Sequence, residues 1–329
     1  MNDYPDTQKT DTALAKELLR PLSPQRQYFT NLMNAIAFGL TGLALIPLVS
    51  ILFEIMSKGI GGFKLEMLRN PVIEYGFANA IMGTVVMVTL GVLMSVPVGL
   101  MTGIFLAEFG KTNSIAQVIR FITSILSGVP SIVVGIFAYG VAVLSLKEFT
   151  AIAGGFALSV IMLPVIVLTT EEALKLIPVQ QRLASAALGG TQFQTIFRVV
   201  VSSAIPSITT GVLLATARAA GETAPLLFTA LFSLNWSPDL FNTTALSECI
   251  KFQCPPLPVD ESTLVGWFKL WFPGLLEPTA SLPVLIYNLY NDPDPEKNQL
   301  VWTTSIILLS LVLCFSIMSR FVTSKSKVK

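Results

Sequence analysis

The chain contains no histidine. That absence removes histidine-ligated metal sites, histidine-dependent nucleophilic triads and histidine proton relays together. Charge is scarce as well: Asp, Glu, Lys and Arg supply 12% of the 329 residues, and the formal net charge is +1. So thin a charged fraction, beside 53% hydrophobic residues and a mean hydropathy of +0.70, excludes an ordinary soluble globule, in which about 25% of residues are charged. A phosphate-binding loop is missing too. Gly110-Lys111-Thr112 resembles the end of one, but Phe105 stands where that loop requires its first glycine. No nucleophile–base pair, internal repeat or low-complexity tract is found. Cysteine is limited to Cys249, Cys254 and Cys314.

What the chain does have is long apolar runs. A helix that crosses a bilayer needs about 20 mostly apolar residues. Six stretches qualify: 27–53, 75–107, 121–146, 149–170, 199–217 continuing through 238, and 298–319. The expected fold is therefore an all-α membrane protein with six transmembrane helices. It comprises a tail at 1–28, a membrane domain at 29–323 and a C-terminal segment at 324–329. An inner link (171–204) and a long outer link (236–298) join the later spans. The tail carries Asp3, Asp6, Asp11 and Glu17, unlike a cleavable signal peptide.

Six spans place both termini on one side, and basic residues choose which. Lys9, Lys16, Arg20, Arg26, Lys111, Arg120, Lys175, Arg182, Arg198, Arg320, Lys325, Lys327 and Lys329 lie on the side of the termini. Only Lys58, Lys64, Arg69, Lys147, Lys251, Lys269 and Lys297 lie opposite. The excess puts both termini in the cytoplasm. Trp236, Trp267, Trp271 and Trp302 gather in or beside the outer link, as an interfacial belt or a contact surface. Thr263 to Leu276 is too short to span and reads as lying on the membrane surface. Cys249 and Cys254 share this link, where an oxidising compartment would permit a disulfide.

The most informative polar feature is Ala217-Arg-Ala-Ala-Gly-Glu-Thr-Ala-Pro225. Residues 199–232 read as one spanning helix with Arg218 and Glu222 near its middle, four apart and on one face. A charge at mid-bilayer costs about 2.5–3.5 kcal/mol, so such residues mark a partner or a wet path. Arg218 is suited to an oxyanion, since guanidinium offers forked donors and never deprotonates. Glu222 would neutralise it in the resting state. A purely structural ion pair is the competing reading. Thr210, Thr223 and Ser131 could add hydroxyls to the path, or serve only helix packing. Pro130, with Gly128 and Gly135 nearby, predicts a loosened span three.

The inner link is ordered. Pro178 breaks a helix, Gln180 to Leu188 resumes one, Gly189-Gly190 forms a corner, and Thr191 caps a short helix whose apolar positions are Phe193, Ile196 and Phe197.

Here the chain resembles a known family. Leu183-Ala184-Ser185 followed by Gly189 is similar to the Glu-Ala-Ala loop of ABC-importer permeases. Ser127-Gly-Val-Pro-Ser-Ile-Val-Val-Gly-Ile-Phe137, Thr170-Glu-Glu-Ala-Leu174, Ala187-Leu-Gly189, Thr210-Gly-Val-Leu-Leu-Ala215 and Ala217 to Leu226 extend the resemblance to phosphate ABC-transporter permeases of the PstA type. It covers about residues 75 to 235 and departs at Leu183, where the family has glutamate, and at Ser202, where it has proline. The resemblance implies a type I (MetI-like) permease of the cell inner membrane, forming half of a phosphate pore and without an ATPase site. Partners would be a PstC-type permease, two copies of an ATP-binding subunit, an external phosphate-binding protein and membrane lipid, not nucleic acid. It holds no cofactor or metal; ATP would bind the partner. Ala184, Ala187, Gly189, Thr191 and Phe193 would couple the chain to the ATPase. A permease for sulfate or molybdate, or an ion-coupled secondary transporter using Glu222, are the alternatives.

Overall fold

The computed structural model describes residues 24–110, 113–234 and 273–326. Among these, regular structure is helical throughout, with no strand. Lys111 and Thr112, the pair Cys249 and Cys254, three of the four tryptophans and most of Thr263 to Leu276 lie outside the described residues.

The first helix, α1, runs Pro24–Gly62. Its residues 24–55 belong to a unit of their own, an apolar helix with exposed side chains. The second unit begins at Met56. Its helices are α2 (Ala78–Glu108), α3 (Ser114–Gly128), α4 (Ser131–Leu146), α5 (Ala151–Lys175), α6 (Val179–Ala187), α7 (Gln192–Ala220), α8 (Ala224–Thr229), α9 (Leu282–Tyr290) and α10 (Pro295–Ser326). Among the described residues five helices, namely α1, α2, α5, α7 and α10, are long and apolar enough to cross a membrane. The bent pair α3–α4 makes six if it counts as one span.

Close packing of α2 on α5 forms the centre. Gly91, Gly99 and Gly103 line the α2 side; a Cβ at Gly99 would sit 2.7 Å from Ile166, and one at Gly103 2.6 Å from Thr170. Apolar burial drives little association between helices in lipid, so small residues that let backbones approach are what hold this seam. Met87, Leu158, Met162 and Ile166 fill it, joined by Ala215, Ala219 and Ala220 of α7 and Leu226 of α8.

Two expectations need correction. Span three is not one rod: α3 and α4 meet at Val129-Pro130 with a 107° bend. Proline lacks an N–H and disfavours helical geometry at the residue before it, here extended Val129 (ψ 131°). Span five is not continuous through 232. Its helix stops at Ala220, Gly221 caps it, and α8 begins at Ala224. Pro225 cannot donate to the Gly221 carbonyl, and its ring would strike that carbonyl in a continuing helix.

The outer link also holds more structure than its composition suggested. Ser281-Leu282-Pro283 starts α9, with proline in its favoured first turn. Leu282, Leu285 and Leu289 are buried against Phe77, Ala80, Val301 and Ile307. The Leu282 N–H donates to Thr84 Oγ1 at 2.9 Å, fixing α9 to α2.

Candidate functional site

The two helix breaks lie side by side. A Cβ on Gly135 of α4 would fall 2.8 Å from Pro225 Cα and 3.3 Å from the Phe228 ring, so α4 and α8 touch almost backbone to backbone. Only glycine permits this approach without displacing one of them. Interrupted helices at membrane depth are tolerated where the freed backbone lies in protein or lines a cavity.

Arg218 is two residues from the end of α7, beside this junction. With Leu126, Ser127 and Val129 of the α3 bend, Ser131 and Val134 of α4, and Ile161, Pro164 and Val165 of α5, it lines a cleft of about 20 Å³. That is room for one water. The Arg218 side chain is 57% exposed and that of Glu222 19%. Arg218 Nε stands 3.7 Å from Glu222 Oε1, an ion pair longer than a hydrogen bond. The two charges meet across the end of a helix rather than on one continuous face. The chain closes there through Gly221 N–H to the Arg218 carbonyl (3.1 Å) and Glu222 N–H to the Ala219 carbonyl (3.2 Å).

Ser131 and Arg218 therefore share the cleft, and Glu222 reaches it through Arg218. Thr223 stands in the break, preceding α8 without capping it by its side chain. Thr210 is elsewhere: it is eight residues before Arg218, about 12 Å along the helix, and its hydroxyl donates to the Pro206 carbonyl at 2.9 Å. Ser127, which stands at the bend and lines the cleft, carries no signal in the sequence beyond the motif it belongs to. No metal-binding cluster of His, Cys, Asp or Glu occurs among the described residues.

The inner link folds as its sequence suggests. α5 ends at Lys175, α6 follows Pro178, and Gly189 adopts φ +79°. Thr191 and Gln194 form a reciprocal capping box, Gln194 N–H to Thr191 Oγ1 at 3.3 Å and Thr191 N–H to Gln194 Oε1 at 3.0 Å. The capped segment is not a separate helix; it winds on as a π turn, Thr195–Val201, into α7. Ala184, Ala187, Gly189, Thr191 and Phe193 are all exposed, while Ile196 is buried. Leu188, 90% exposed, adds an apolar tip.

Comparison with known proteins places this architecture. Residues 99–328 match the family model described as "Binding-protein-dependent transport system inner membrane component". The chain is 34% identical over 303 residues to the phosphate transport system permease protein PstA of Haemophilus influenzae, covering 90% of this chain and 95% of that one. It is 31% identical to PstA 1 of Mycobacterium tuberculosis strain H37Rv, over 96% of both chains. A probable PstA of Methanocaldococcus jannaschii is 30% identical over 86% of this chain and 89% of that one. Among solved structures, an inward-facing MetNI methionine ABC transporter aligns with TM-score 0.55 at 15% identity, covering 78% of this chain and 99% of that one. At that identity the likeness concerns fold alone. The chain belongs to the binding-protein-dependent transport system inner membrane component family, as a multi-pass permease on the PstA branch.

Proposed function

We propose that the chain is the permease subunit of an ATP-driven importer of inorganic phosphate, forming one half of its pore. The PstA relatives, matched over nearly their whole length, support the substrate. The observation that carries the mechanism is Arg218: a half-exposed guanidinium opening on a cleft where two spans are interrupted. A phosphate oxyanion that meets the exposed side of this guanidinium, at the mouth of the cleft, accepts forked hydrogen bonds from Arg218. Ser131 lines the same cleft and offers its hydroxyl, whereas the Ser127 hydroxyl there donates to the Ser124 carbonyl at 2.7 Å. Glu222 holds the guanidinium when no ion is present and competes with the ion for it. That competition keeps binding shallow, as passage requires.

The chain catalyses no covalent step and holds no cofactor. ATP binds and is hydrolysed on a separate cytoplasmic ATPase, present in two copies, and a PstC-type permease completes the pore. An external binding protein delivers phosphate. Both termini, 1–28 and 324–329, lie in the cytoplasm on the side of the inner link. There α6 and its corner, with Ala184, Ala187, Gly189, Thr191, Phe193 and the exposed Leu188, dock on the ATPase.

The test is reconstitution with co-purified partners in liposomes loaded with ATP. Uptake of labelled phosphate, unaffected by excess sulfate or molybdate and abolished without the ATPase, is expected. Competition by sulfate or molybdate would reassign the substrate. Uptake that persists without the ATPase but collapses with an uncoupler would refute the class.

A further inference from the structure

Two buried carboxylates sit where the spans meet the inner link, and the oxyanion path uses neither. Glu108 closes α2, and its side chain is 7% exposed. Its Oε2 accepts from Arg182 Nη1 of α6 at 2.5 Å, while its Oε1 is enclosed without a hydrogen-bond partner. Arg182 Nη2 donates at 3.3 Å to the carbonyl of Leu174, near the end of α5. Glu171 of α5, 3% exposed, accepts from Arg120 Nε of α3 at 2.8 Å and pairs with Lys175 at 2.9 Å. The remaining Arg120 nitrogens donate to the Leu106 and Gly110 carbonyls at the end of α2, at 2.9 and 3.1 Å.

The placement of these ties matters because both ends of α6 are non-helical corners. Ile177-Pro178 precedes it, and Gly189, at φ +79°, follows it. Attached by its corners alone, α6 would swivel under load. Instead its first half is pinned to α2 and α5 through Arg182. Its second half is pinned to the start of α7 by a 2.8 Å hydrogen bond between the Ser185 and Thr195 hydroxyls. α5 supplies Ile161, Pro164 and Val165 to the cleft, and α7 supplies Arg218. A buried carboxylate whose second oxygen has no partner depends on the one guanidinium it has.

We propose that Glu108 and Arg182 are a positioning pair that makes α6 one lever with α2 and α5, so that its displacement moves the walls of the Arg218 cleft. This rests on the reading of α6 as the ATPase dock. Without the pair, α6 keeps only its tie to α7 through Ser185 and Thr195, the corner at Pro178 absorbs much of the stroke, and more ATP is hydrolysed per phosphate moved.

The complete transporter is reconstituted in liposomes, and phosphate uptake and ATP hydrolysis are measured together. Glu108→Gln and Arg182→Gln should each raise the ATP hydrolysed per phosphate moved about tenfold, a middle value for a coupled pair. ATPase co-purification should be unchanged. The reversed pair, Glu108→Arg with Arg182→Glu, should restore the ratio, since a helix C-terminus favours the cation and the first turns of α6 the carboxylate. Arg182→Lys keeps the charge without the fork and should give a smaller rise. A wild-type ratio in variants that assemble overturns the proposal, as does a reversed pair that assembles yet stays uncoupled. Loss of assembly in every variant, Arg182→Lys included, overturns it also, because the pair then only holds the fold. Wild-type vesicles that hydrolyse ATP without moving phosphate refute the functional reading instead.

Discussion

Replacing Arg218 separates an oxyanion contact from a structural ion pair. The Arg218–Glu222 pair has a 3.7 Å separation with the arginine 57% exposed, and exposed pairs contribute about 0–1 kcal/mol. Arg218→Lys should therefore leave the thermal midpoint of the purified complex nearly unchanged. Transport should respond much more. A charge-assisted hydrogen bond contributes about 1.5–3 kcal/mol, and lysine keeps the charge but cannot present the fork. With one such bond lost in the rate-determining passage, and about 1.4 kcal/mol per decade, uptake at low phosphate should fall about 10- to 150-fold. Arg218→Ala, losing charge and fork, should fall further. The assay is initial uptake of labelled phosphate into proteoliposomes, normalised to assembled complex. A lysine variant that transports within about twofold of wild type, below one lost bond on that scale, would refute the oxyanion role. Loss of transport that merely tracks loss of assembled protein would indicate a packing pair.

Three further outcomes follow from the geometry. Gly135→Ala places a Cβ 2.8 Å from Pro225 Cα, overpacking that should cost about 1–3 kcal/mol; the thermal midpoint should drop, while Gly140→Ala, with open space around it, serves as control. Asn79 accepts from the Val72 N–H at 3.1 Å and donates to the Ser233 and Leu234 carbonyls at 3.1 and 3.4 Å. Asn79→Ala removes the acceptor of the Val72 N–H, at about 1–3 kcal/mol, and a wild-type melting curve would disprove its importance. Asp292, in the α9–α10 corner, is held below its ordinary 3.8 by the Asp294 N–H and then by the Lys297 ammonium. Its stabilisation is therefore present above that ordinary value and is lost as pH falls through the lower folded value. Melting of wild type and Asp292→Asn should differ above about pH 4 and converge in stronger acid; a difference that grows in acid would contradict the assignment.

Length and hydropathy alone were enough to find the five long helices and the bent pair α3–α4, because crossing lipid demands long apolar runs whatever the packing. Pro178, Gly189 and Thr191 likewise announced the inner link, since prolines, positive-φ glycines and capping hydroxyls act within a few residues of themselves. The pairing of Arg218 with Glu222 was legible from a spacing of four. The reason the two meet was not, because Pro225 ends the helix between them and a local turn, Gly221 N–H to the Arg218 carbonyl and Glu222 N–H to the Ala219 carbonyl, keeps Glu222 in reach. Pro130 signalled weakness in span three, but its 107° bend depends on α4 lying against α8 at Gly135, far away in sequence. Ser281 and Pro283 could have flagged α9, yet nine residues are too few to stand out by hydropathy; burial against Phe77 and Val301 makes them a helix of consequence. Arg120 and Arg182 entered the sequence reading only as basic residues counted for topology. That they seek Glu171 and Glu108 was decided by the fold, which brings the ends of separate spans together and shields both carboxylates from water, so that each must keep a cation.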